Sequence, residues 1–169
     1  MEIEKIKELL FEIESNPEIK KEFLNLIVKT LDLRSNSYHP MVFINGNPTI
    51  GKNFYIGEFS EINAKGAEVI IGNNCDIASF VAINVADSHK YTLGISNEIE
   101  RKNICLEDNV FVGSHSFIGG NTHIGHHTVV SAGTILINAG KIPPYSLVVG
   151  NPPIIKEGYY KNKIATKTE

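Results

Sequence analysis

The chain has no tryptophan, and among its 169 residues only two are cysteine and two methionine. Two cysteines cannot build a disulfide scaffold, and the opening segment has no secretory character, so Cys75 and Cys105 read as free thiols. Long apolar runs are missing as well. The opening MEIEKIKELLFEIESNPEIKKEF interleaves charge with isolated apolar residues, which excludes a signal-peptide core or a membrane span as a reading of that segment. The expectation is a cytoplasmic protein with no membrane partner. Neither sign of charge dominates: 16 basic against 19 acidic side chains give a formal net charge of -3. Nothing in that balance calls for nucleic acid or an anionic lipid surface. A composition 42% hydrophobic and 21% charged is too apolar for a disordered chain, and the length suits one domain.

What the sequence does have is a beat of six. Leu106, Val112, Ile118, Ile124, Val130, Leu136 and Ile142 are seven consecutive aliphatic residues at that spacing, and Glu107, Gly113, Gly119, Gly125 and Ser131 follow the first five. Two places before each aliphatic stand Ile104, Val110, Ser116, Thr122, Thr128, Thr134 and Gly140, all small or branched. At 3.6 residues per turn a helix would carry successive aliphatics off any one face. Very short strands accommodate the beat: two inward side chains at alternate positions, then a turn, repeated into a stacked all-β solenoid. Ile50, Ile56, Ile62 and then Ile71, Ile77, Ile83 carry the same spacing earlier in the chain, and Cys75 falls in an inward phase where a small thiol fills space. The register slips twice, from Ile62 to Ile71 and from Ile83 to Leu106. Insertions are therefore expected at 64–68 and 87–103.

The flanks are different. Residues 1–40 read as a helical cap for the end coil, broken near Asn16-Pro17, with Phe23, Ile27 and Leu31 on one face. Residues 41–156 form the solenoid, and 157–169 a C-terminal tail that frays in KNKIATKTE. The longer insertion opens at VADSHKYTLG, where the place after Ile83 in the series is taken by His89. A loop leaving a stiff scaffold is a common seat of function, and imidazole is suited to act as a base near neutral pH.

Three stretches, VADSHKY, NVFVGSHSFIGG and IPPYSLVVGNPP, resemble the hexapeptide-repeat acyltransferases, in particular the galactoside, maltose and streptogramin O-acetyltransferase branch. The resemblance spans about residues 50–156. It implies a left-handed parallel β-helix, handedness coming from the resemblance alone. It also implies a homotrimer with sites between subunits, and acetyl-CoA as co-substrate with no metal and no acyl-enzyme. His89 is the residue matching the family's general base, which takes a proton from the acceptor hydroxyl as that hydroxyl attacks the thioester. Carried over residue by residue, Ser114, Ala132 and Gly133 would line the pantetheine groove, and Phe111 stands where the family's motif has an aromatic with an indole N–H. Lys141 is a candidate for a cofactor phosphate. Glu58 replaces the family's acceptor-binding Asn, so that Glu58, Asp87 and Tyr91 are the acceptor-side candidates, Asp87 also being placed to orient His89. The expected function is acetyl transfer to a hydroxyl or amine of a sugar-like acceptor, with N-acetylation of a nucleotide-linked amino sugar as the nearest alternative.

His115, His123, His126 and His127 crowd one region and invite a metal reading. None of the four lies one coil, about eighteen residues, from another, so they read as corner or outward residues. A γ-carbonic-anhydrase-like lyase would need a second histidine five places after His126, where Ser131 stands. A non-catalytic β-helix scaffold is the remaining alternative.

Overall fold

The computed structural model describes residues 3–30 and 38–165. Within them the six-residue beat becomes a parallel β-solenoid, its strands only two to four residues long. The first sheet stacks Phe43–Gly46, Glu61–Ala64, Ala82–Asn84, Phe117–Gly119 and Ile135–Leu136. The second stacks Thr49–Ile50, Val69–Ile71, Ile104–Leu106, Thr122–Ile124 and Gly140–Ile142. The third runs Tyr55–Ile56, Asp76–Ile77, Phe111–Val112, Val129–Val130 and Leu147–Val149, and ends on the antiparallel strand Ile154–Lys156. Each coil crosses all three sheets, so an inward aliphatic meets its equivalent one coil away: Ile62 pairs with Ile83, Ile83 with Ile118, and Ile118 with Leu136.

The column is dry. Ile62, Ile83, Ile118, Ile124 and Leu136 are 0% exposed. The small hydroxyls two places before an aliphatic also turn inward, and several reach a backbone carbonyl: Ser116 Oγ donates to Ser131 O at 3.1 Å and Thr128 Oγ1 to Pro143 O at 3.3 Å. Cys75 is buried as its phase requires. The turns between sheets are tight enough to need left-handed backbone, which asparagine tolerates better than most residues. Asn53, Asn74, Asn109 and then His127 hold that conformation at one corner, while Phe59, Phe80 and His115 hold it at another. At the latter corner the rings stack, Phe59 on Phe80 at 5.1 Å and Phe80 on His115 at 4.9 Å between centroids. His115 is thus a corner residue, as its spacing indicates.

Both insertions leave the solenoid at the corner between the first and second sheets. The place in the second sheet after Ile83 is filled by Leu106, not by His89, because the chain departs one turn earlier, at Ala86. Val85 still points inward at 2% exposure; then Ala86–Asp87 and Glu100–Arg101 form an antiparallel ribbon. His89 opens the four-residue helix His89–Thr92 between them.

At the N-terminus the helices are Ile3–Ser15 and Pro17–Thr30. The break falls at Asn16, whose Oδ1 accepts from the N–H groups of Glu18 at 3.0 Å and Ile19 at 3.3 Å, a side-chain cap on the second helix. Val28 is the one buried residue of the pair, with Phe23 and Ile27 half-buried, and Leu31 lies outside the described residues. Leu9, Leu10 and Phe11 are exposed. Toward the other end, where the sequence suggests fraying, Lys161–Ala165 forms a short helix; residues 166–169 lie outside the described part. Among the described residues no helix is long and apolar enough to cross a membrane.

Candidate functional site

Asp87 and His89 face one another across Ser88 at the root of the loop. The His89 backbone N–H donates to Asp87 Oδ1 at 3.1 Å, and the same oxygen meets ring Nδ1 at 2.5 Å. The hydrogen bond with His89, joined by that backbone N–H, holds the Asp87 carboxyl below the usual carboxylate range. An ionised carboxylate only accepts, so Nδ1 carries a proton, and in the neutral ring the lone pair is on Nε2.

Beside it runs a groove of about 540 Å³ between the loop and the outer surface of the first sheet, with Asn84, Glu100, Lys102 and Phe117 in its walls together with Asp87 and His89. The loop is braced on both sides. Lys90 Nζ donates to Glu100 Oε1 at 2.6 Å, closing the short helix onto the returning strand, and Lys102 Nζ donates to Asn138 Oδ1 at 3.0 Å in a later coil. The bond from Lys90 lowers the Glu100 carboxyl, and Glu100 in turn raises the Lys90 ammonium. Arg101 Nε donates to Lys65 O at 2.9 Å, tying the longer insertion to the shorter one. Gly66 makes room for that contact: a Cβ there would lie 2.6 Å from Arg101 Cδ.

The remaining sequence candidates lie elsewhere on the chain. Tyr91 shares the His89 helix but is exposed and outside the groove wall. Glu58, Ser114, Ala132 and Gly133 sit along the edge between the third and first sheets, the Gly133 N–H donating to Ser114 O at 2.9 Å. There the Glu58 carboxyl is lowered by a backbone N–H and by Ser79 Oγ, which donates at 3.2 Å. Phe111 lies on the third sheet between Asp76 and Val129. Lys141 lies on the second sheet beside His123, in a separate hollow of about 330 Å³ that also includes Cys105. One chain therefore brings Asp87 to His89, and Ser114 to Ala132 and Gly133 on a different edge, while Phe111 and Lys141 lie apart from both groups on the third and second sheets.

The other histidines are tied locally. Glu107 Oε1 meets His123 Nε2 at 2.7 Å, and Oε2 accepts the His126 N–H at 2.9 Å. Burial alone would raise the Glu107 carboxyl; these bonds outweigh it and leave it below its usual range. The His126 and His127 rings meet Tyr145 at 4.9 and 5.2 Å. Among the described residues no three His, Cys, Asp or Glu side chains are grouped to hold a metal.

Sequence reasoning passed over Asn84 and Asn138. Asn84 had a signal. Ile-Asn occurs at 44–45, 62–63 and 83–84, one coil apart each time, and the asparagines form a ladder on the outer face of the first sheet.

No protein-family profile matches the chain, and no curated protein does. Solved structures match its fold. The polysialic acid O-acetyltransferase OatWY superposes with a TM-score of 0.57 at 25% identity, over 70% of this chain and 61% of that one. A point mutant of AntD, an N-acyltransferase from Bacillus cereus, complexed with dTDP and coenzyme A, gives 0.61 at 17% identity, over 76% of this chain and 74% of that one. A maltose O-acetyltransferase from Clostridium difficile 630 gives 0.51 at 18% identity, over 84% and 88%. The chain spans only about three-fifths of the length of OatWY and of the polySia-specific acetyltransferase NeuO. The chain shares its fold with hexapeptide-repeat acetyltransferases, the family that its motifs resemble.

Proposed function

We propose that the protein is an acyl-CoA-dependent acetyltransferase that acts on a hydroxyl or amine of a sugar-like acceptor, with His89 as general base. The observation that carries this reading is the Asp87–His89 pair at the wall of the 540 Å³ groove: a carboxylate fixes Nδ1 and leaves Nε2 as the acceptor of a proton. In the reaction the acceptor oxygen or nitrogen bonds to the acetyl carbonyl carbon as its proton passes to Nε2. The C–S bond then breaks, and the same proton goes to the departing thiolate to give CoASH. Asp87 stabilises the imidazolium between these steps.

Acetyl-CoA is the donor by analogy with the fold's relatives, one of which, from Vibrio cholerae, was solved with acetyl-CoA. The small residues Ser114, Ala132 and Gly133 leave backbone accessible to a thin pantetheine arm, with Phe111 and Lys141 as further cofactor contacts. Ser114, Ala132 and Gly133 occupy a different edge of the solenoid from His89, which supports a homotrimer in which that edge of one protomer faces the loop of the next. Glu58 and Tyr91 are the acceptor contacts in that arrangement. O- and N-acetylation use the same base, and the relatives include enzymes of both kinds.

The test is a screen of mono- and oligosaccharides, amino sugars and nucleotide-linked amino sugars with acetyl-CoA, read as free thiol. It is accompanied by thermal-shift titration with CoA and, separately, zinc. Acceptor-dependent thiol release and stabilisation by CoA are expected. Stabilisation by zinc without CoA binding would favour a metal lyase instead, and a response to neither would favour a scaffold.

A further inference from the structure

Resting on the acetyl-transfer reading above, the geometry points to Asn84 as the side-chain donor that receives the negative charge of the reacting thioester oxygen. The asparagine ladder fixes how this amide is turned. Asn45 Nδ2 donates to Asn63 Oδ1 at 3.1 Å, and Asn63 Nδ2 donates to Asn84 Oδ1 at 3.1 Å. An amide could be flipped end for end at no steric cost, but here the backbone forbids it. Asn63 Oδ1 also accepts the Lys65 N–H at 3.2 Å, and Asn84 Oδ1 accepts the Ala86 N–H at 2.9 Å. A backbone N–H can only donate, so the oxygen of each amide is identified, and Nδ2 of Asn84 must point the other way.

That nitrogen has no acceptor among the described residues, although Asn84 is half-buried and forms part of the groove wall with His89. The next coil explains why. The strand partner of Asn84 is Gly119, so the column that reads Asn45, Asn63, Asn84 continues with a residue that has no side chain to cover the amide. A Cβ on Gly119 would lie 3.1 Å from the Phe117 ring and 3.2 Å from Leu136 O. Two N–H donors on a rotationally locked amide thus face the same cavity as a base that accepts a proton.

Asn84 cannot take a proton, and His89 supplies only one nitrogen. The division of labour follows from their chemistry. As the acceptor attacks and the carbonyl oxygen gains charge, Nδ2–H bonds to that oxygen while Nε2 takes the proton of the nucleophile. When the C–S bond breaks the charge leaves the oxygen, and the proton on His89 goes to the thiolate. A donor held in place beforehand stabilises such an oxygen without having to reorganise during the reaction. Asn63 is a positioning residue: it acts only through the orientation of Asn84.

Asn84→Asp separates this role from a structural one. The variant keeps an oxygen for Ala86 N–H and Asn63 Nδ2, so the ladder survives, but it turns a second oxygen toward the groove in place of two donors. Turnover should fall by about 10²- to 10³-fold, the usual effect of losing an oxyanion donor, with the acceptor KM and the melting temperature little changed. A rise in acceptor KM at unchanged kcat would reassign Asn84 to acceptor binding and overturn the proposal; so would wild-type turnover. An acceptor-independent reading uses acetyl-CoA labelled with ¹³C at the carbonyl. In wild type the bound carbonyl stretch should move to lower frequency than in buffer, and Asn84→Asp should remove that shift; equal stretches in both proteins contradict the proposal. Should His89→Ala abolish transfer while Asn84→Asp retains it, the inference fails and the reading of the reaction stands. Absence of acetyl-CoA binding and of transfer in wild type would remove both.

Discussion

Replacing Asp87 by Asn tests how the imidazole is set. Asp87 accepts two hydrogen bonds from His89, from the ring and from the backbone N–H. An amide can keep one of these with its oxygen, and its NH₂ group can also turn to Nδ1. The ring would then hold its proton on Nε2, the nitrogen that must be free to accept one. In a buried triad this change costs about 10⁴ in kcat. The dyad here is open, the side chains of His89 and Asp87 being 58% and 46% exposed, so water competes for Nδ1 and either tautomer remains within reach. A hydrogen bond to a charged partner contributes roughly 1.5–3 kcal/mol, and solvent screening takes this pair to the lower end or below. At about 1.4 kcal/mol per tenfold, turnover should fall about 10-fold and not beyond about 100-fold. The assay is thiol release at saturating acetyl-CoA with an acceptor found in the screen. Because its bond with His89 holds the Asp87 carboxyl below the usual range, the carboxylate persists as pH falls past about 3.9, and the deficit of the variant should be constant across neutral pH. An Asp87→Asn enzyme with wild-type kcat would refute the idea that this carboxylate sets the tautomer.

Two further outcomes concern the scaffold. Ile118 is fully buried in the middle of its column, and truncation to Ala should cost about 2–5 kcal/mol, read as a drop in denaturation midpoint; a loss under about 1 kcal/mol would mean that the column is not close-packed. Glu107 has a lowered carboxyl pKa in the folded chain, so its contribution to stability is present above the unfolded value of about 4.3 and is lost as pH falls through the lower folded value. Glu107→Gln should therefore melt below wild type at pH 7, with the gap closing below about pH 4; a gap that widened with acid would reverse the sign argued for the His123 and His126 bonds.

The solenoid was legible because its cause is local and repeated: a coil can close only if every sixth residue is an aliphatic that fits over its neighbour, as Ile83 fits between Ile62 and Ile118. The insertions were legible as slips in that count, though not their shared corner. His89 was legible as a residue of the longer insertion, expected at 87–103. Counting six from Ile83 reaches His89, whereas the chain had already left at Ala86 and returned to the count at Leu106. The pairing of Asp87 with His89 depends on a turn of two residues and was visible only as proximity. Glu100 with Lys90, and Lys102 with Asn138, depend on the path of the loop, which no period encodes. Asn84 is different in kind, since its recurrence with Asn45 and Asn63 was in the sequence, but as part of an outward column in a reading that followed the inward one.

The most direct test of acetyl transfer through His89 is His89→Ala measured in two ways on one preparation: turnover of acetyl-CoA with an identified acceptor, and CoA affinity by calorimetry. A loss in kcat of about 10²-fold or more is expected, with CoA affinity unchanged. Undiminished turnover in that variant would contradict the assignment of His89 as the base.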